Sequence, residues 1–264
     1  MFASLREFFA APMREATQLQ REHLAEHQGL DGRCVSVMIV TAIALTLRAY
    51  FFHVEDLLWI IARVAPHWPG VLTLLQPENI EFTRLAYWAL GQDLLYVGMP
   101  LLVIKCVYRD PLSDYGVKRK GMFQYAAVYG LMFLVMAPLI VWLSHTDSFQ
   151  RSYPFYKLAP GEPLWPKIFV WELLYASQFI ALEFFFRGFM IHGTKRQFGP
   201  YCVLVMMVPY CMIHFTKPLP ETFGAIIAGV VLGLMSLKTR SIWLGAALHI
   251  AVAWSMDVAA LLSR

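Results

Sequence analysis

Apolar residues come in long unbroken runs along this chain, each bounded by charge or by Pro and Gly. Runs near 34–52, 85–108, 123–144, 167–191, 201–215, 223–237 and 241–262 predict seven membrane-crossing helices, since a crossing needs about 20 residues at 1.5 Å rise. The fifth and sixth runs are shorter than that. They suit helices extended by polar flanks or tucked inside a bundle, where a site would lie. The segment 54–80 is apolar but interrupted by Pro66 and Pro69. It fits a pair of short interfacial or re-entrant helices better than a full crossing. Read as an eighth crossing, it would invert everything after it. Residues 1–33 are polar and helix-prone, with Leu5, Phe9 and Met13 at helical spacing. They predict a partly amphipathic cytoplasmic arm that rests in part on the membrane surface. The chain thus divides into an arm (1–33), N-terminal membrane helices (34–108) and a membrane core (109–264), all-α throughout.

Composition agrees with that pattern. Of the 264 residues, 58% are apolar and 15% charged, with a mean hydropathy of +0.53. Soluble domains carry about 25% charged residues, so an ordinary cytosolic enzyme, a disordered chain and a disulfide-rich secreted module are excluded. Cys34, Cys106, Cys202 and Cys211 form no CxxC pair and suggest neither a zinc knuckle nor a disulfide framework. The net charge of +4 carries no nucleic-acid signal. Its distribution says more. With the N-terminus cytoplasmic, seven crossings put the basic 109–120 loop, Lys195, Arg196, Lys238 and Arg240 inside, and leave fewer Lys and Arg outside.

The informative residues are those an apolar helix should exclude, because an ionisable group in a span costs about 2.5–3.5 kcal/mol on insertion scales. Glu183 and Arg187 in ALEFFFRGF are four apart, Glu first, the favourable order for an ion pair on one helix face. By itself this pair reads equally well as structural or functional. Counting from the inner interface, Glu183 lies about 20 Å deep, His214 about 21 Å and His249 about 14 Å. Two histidines and a carboxylate from three helices at similar depth can polarise a water. Asp257, two turns beyond His249, and Asp93 in LGQDLLYVG are further intramembrane acids. Arg48 and Lys105 are placed to snorkel, Glu172 to lie at the outer interface, and Tyr153, Phe155 and Tyr156 to form an outer aromatic belt. HLAEH at 23–27 fits a zinc-protease pattern, but it sits in a polar arm and reads as a solvated helix face.

EFFFRG, the later YCMIH with its KPLPE tail, and LGAALH near the C-terminus resemble the CAAX-protease and bacteriocin-processing family (CPBP, or Abi) of intramembrane endopeptidases. LSDYGV at 112–117 is similar to a short motif that many members carry upstream. The resemblance covers about residues 110–260. The family pattern is Glu-Glu-x-x-x-Arg, then Phe-x-x-x-His, then His-x-x-x-Asn or Asp. By this resemblance Glu183 matches the second glutamate, Arg187 the arginine, His214 and His249 the two histidines, and Tyr210 stands in place of the phenylalanine. Leu182 occupies the place of the first glutamate, the family's general base, and Ala253 that of the Asn or Asp.

The resemblance implies an intramembrane endopeptidase of the bacterial inner membrane. It would cleave a membrane-proximal peptide or membrane-protein substrate through a water activated by Glu183 with His214 and His249, and Arg187 completes the expected catalytic set. Tyr210, Asp257 and Asp93 are the expected cavity residues, with Asp257 a candidate replacement for the group missing at Ala253. The expected partners are the substrate and the lipid bilayer, with no nucleic acid. A divalent metal such as zinc on His214 and His249 and a metal-free glutamate mechanism stay equally open. The alternative is a non-catalytic relative that binds a lipid, a peptide tail or a partner protein. A transporter using Asp93, Glu183 and Asp257 as a proton path ranks third.

Overall fold

The computed structural model describes residues 2–65, 67–159 and 161–263, and side chains from residue 7 onward. Pro66, Arg264 and the side chains of Leu5 and Arg6 lie outside the described residues. Within them the chain is helical, with no strand. Helix α1 is Phe2–Glu26 and α2 Gly32–Tyr50. Two short helices, α3 (Val54–Val64) and α4 (Pro69–Leu74), occupy the interrupted segment. The remaining helices are α5 (Ile80–Tyr108), α6 (Met122–Ser144), the short α7 (Asp147–Ser152), α8 (167–198), α9 (Cys202–Met212), α10 (Leu219–Thr239) and α11 (Trp243–Leu262).

Six stretches of the described chain are long and apolar enough to cross a membrane. Five are α2, α5, α6, α10 and α11. The sixth, Lys167–Met212, joins α8 and α9 and accounts for two of the seven sequence-predicted crossings. It reverses at Gly199, whose φ of +55° ends α8. Phe186 then meets Tyr210 at 5.3 Å between ring centroids, so α9 runs back along α8. A Cβ at Gly199 would overlap the Gln20 side chain of α1, and Gln20 Nε2 donates to the Gln197 carbonyl at 2.8 Å. Arg240 pairs with Glu15, which ties α1 to the end of α10. The arm is therefore a helix docked against the reversal.

The main core gathers Tyr96, Phe184, Phe185, Phe186, Phe189, Met190, Met206 and Tyr210 from α5, α8 and α9. A second core packs Leu85, Ala89, Trp171, Tyr175 and Ala253 with Tyr156 from the loop before α8. That loop corrects one expectation. Tyr153 and Tyr156 are buried rather than displayed as a belt, and Phe155 stacks on Trp88 and Trp171. Each tyrosine has a polar tip, and the fold supplies partners that let it turn inward: Tyr153 donates to Glu221 at 2.9 Å and Tyr156 to Glu162 at 2.7 Å.

Candidate active site

Glu183 closes the regular part of α8, and Phe184–Met190 continues as a π-helical segment, a distortion common at functional sites. The glutamate is 1% exposed and Arg187 is 0% exposed, and Phe184, Phe185 and Phe186 between them in the chain are buried as well. Arg187 Nη1 lies 3.3 Å from Glu183 Oε1. The guanidinium also sits over the Tyr210 ring, 3.8 Å from its centroid, in a cation–π contact. These two contacts offset part of the cost of burying the charge, and among the described residues none of the three guanidinium nitrogens makes a hydrogen bond.

The last helix brings His249 to the same carboxylate, with Nδ1 3.0 Å from Glu183 Oε1. Its other nitrogen, Nε2, meets the Tyr210 hydroxyl at 3.1 Å. One turn past Tyr210, His214 Nδ1 donates back to the Tyr210 carbonyl at 2.8 Å, and its ring meets the tyrosine edge at 4.8 Å. Phe179 stacks on His249 at 5.6 Å. The His249 side chain remains 15% exposed, so the imidazole is the part of the buried pair that meets open space.

Glu183, Arg187, Tyr210 and His249 therefore form one connected cluster, and His214 joins it through Tyr210. Asp257 and Asp93 do not. Asp257 Oδ1 accepts the Phe155 amide at 3.0 Å, and its carboxyl contacts that of Glu172, so it anchors the loop before α8. Asp93 accepts from Ser177 Oγ at 2.7 Å and links α5 to α8. Arg48, read as snorkelling, donates to Gln92 Oε1 at 2.9 Å. Leu182 and Ala253 are both buried in the apolar cores.

Two residues were not singled out by sequence reasoning. Gly245 lies one turn before His249, and a Cβ there would overlap Glu183 Oε2. The glycine in LGAALH is what lets the carboxylate approach α11. Phe179, one turn before Glu183, supplies the face on which the imidazole rests. Periodicity offered a signal for both: each is four residues from a site residue on the same helix. The upstream LSDYGV turn also reaches this region. Gly116, at φ +80°, accepts the Ile242 amide at 3.0 Å. The Tyr115 carbonyl fills the space where a Cβ on Gly188 would stand, 2.6 Å away.

The donor set does not suit a zinc ion. His249 has one nitrogen on Glu183 and the other on Tyr210, and His214 Nδ1 is committed to a carbonyl. Among the described residues no three His, Cys, Asp or Glu side chains converge as a structural or catalytic zinc site requires.

No curated protein and no solved structure matches the chain. Residues 163–255, the stretch that carries Glu183, Arg187, Tyr210, His214 and His249, match the type II CAAX prenyl endopeptidase Rce1-like family, the one to which the motifs pointed.

Proposed function

We propose that the chain is an intramembrane endopeptidase that cleaves a membrane-proximal peptide with a water activated by Glu183 and His249. The observation that carries this reading is the buried contact chain Glu183–His249–Tyr210 with His214 beside it. Glu183 has no open face, so a water proton goes to the accessible His249. The carboxylate holds the imidazole and stabilises the imidazolium that forms, while Arg187 keeps the carboxylate in place. His214, held against Tyr210, serves as a donor to the oxyanion. His249 then returns its proton to the leaving amine. No step is routed through a metal.

Orientation belongs to the same reading. We read the reversal at Gly199 as dividing Lys167–Met212 into two crossings, which would make seven. Basic loops then fall on the side of the N-terminus, as in a bacterial inner-membrane protein with a cytoplasmic N-terminus.

A second reading, a non-catalytic relative that binds a peptide tail, lipid or partner protein, is favoured by one observation. Leu182, in the place of the family's first glutamate, is 5% exposed and packed into the core. The test compares peptide termini in membranes from cells carrying wild type and His214→Ala at equal expression. A terminus that depends on wild type, and is reproduced with purified protein, supports the protease. Identical termini support the binder.

A further inference from the structure

Where the family pattern has phenylalanine, Tyr210 adds one atom, and that atom touches the site. The ring keeps the contacts a phenylalanine would make, edge-on to Phe186 at 5.3 Å and under Arg187 at 3.8 Å. The hydroxyl alone reaches His249 Nε2, at 3.1 Å. On the other side of the imidazole, Nδ1 stands 3.0 Å from Glu183 Oε1. An ionised carboxylate repels a ring lone pair and attracts an N–H, so its charge at that separation favours Nδ1 as the nitrogen that carries the hydrogen. In the neutral ring Nε2 is then the acceptor and the phenol O–H its donor. Ala253, one turn after His249, carries no polar group and packs beside Trp171 and Tyr175. Helix α11 therefore gives the imidazole no partner at that position, and α9 gives it one.

We propose that Tyr210 is a positioning residue whose hydroxyl fixes His249 as the Nδ1–H tautomer, taking over from α9 the polar contact that Ala253 leaves empty on α11. Its consequence for catalysis rests on the endopeptidase reading; its geometry does not. An attacking water displaces the hydroxyl from Nε2, which leaves the phenol beside the water oxygen as a ready donor and involves no change of charge.

The test is Tyr210→Phe, which retains the ring, in the purified full-length protein in detergent micelles. Side-chain ¹⁵N spectra of labelled histidine, with His249→Ala identifying the resonance, report the tautomer. Wild type should show Nδ1 protonated, and the variant a mixture of both tautomers. Cleavage of a wild-type-dependent substrate should fall by about tenfold or more, as for loss of one orienting hydrogen bond, at an unchanged melting temperature. An unchanged tautomer overturns the proposal, and so does an altered tautomer with undiminished cleavage. If wild type itself cleaves nothing, the endopeptidase reading fails and the spectra alone decide the role of Tyr210.

Discussion

Glu183 and Gly245 occupy each other's space, and that determines what a single methyl group would do. Gly245→Ala drives its Cβ into Glu183 Oε2, so the carboxylate must leave His249 or α11 must shift. The variant should lose cleavage and melt earlier, and adding Glu183→Asp, one methylene shorter, should recover melting temperature but little activity. Arg187 poses the converse case. Arg187→Met leaves a buried carboxylate with His249 alone, and breaking a buried pair costs about 3–5 kcal/mol. Glu183→Gln with Arg187→Met removes both charges. Chemical denaturation should show the double variant more stable than Arg187→Met while remaining inactive. Glu183, Arg187 and His249 were legible in the sequence because ionisable residues stand out in apolar helices. Gly245 was not, since glycine is frequent in membrane helices and its purpose lies on another helix.

The loop between α7 and α8 shows how an element is placed by partners rather than by its own pattern. Its aromatic residues suggested a belt, but hydropathy does not say which way a ring turns. Glu162 decides part of it, joining Tyr156, the Ala159 amide and Lys167 at 2.9 Å. The Lys167 contact, then the Ala159 amide, hold the Glu162 carboxyl down to about 2, against an ordinary 4.5. A depressed carboxyl contributes stability above its unfolded value and loses it as pH falls toward the folded one. Wild type should therefore out-melt Glu162→Gln at neutral pH, with the gap closing between about pH 4.5 and pH 2. A gap that persists at pH 2 would remove charge from the explanation. Helix existence and type were legible from long apolar runs. The docking of α1 was not, because its contacts depend on Gln20, Glu15 and a reversal far along the chain.

At the scale of the molecule, the count of crossings turns on one glycine. With seven crossings the two termini face opposite sides of the membrane; with six they share one. A reporter active only outside the cytoplasm, fused after the last residue, should be active, and the same reporter at the N-terminus silent. Activity at neither end would mean an even number. The basic loops are what the sequence offers for this orientation, and the reporter tests it; the joining of two predicted crossings into one helical stretch was not legible, since Gly199 and Pro200 read simply as a break. The docking of Gln20 against that break carries a consequence for biosynthesis. Helix α1 leaves the ribosome well before its seat exists: Gln197 follows Gln20 by 177 residues, and Arg240 follows Glu15 by 225. Until then α1 waits as an unpartnered helix, and whatever is appended to its front must still let it swing into place at the end. A purification tag therefore belongs at the C-terminus.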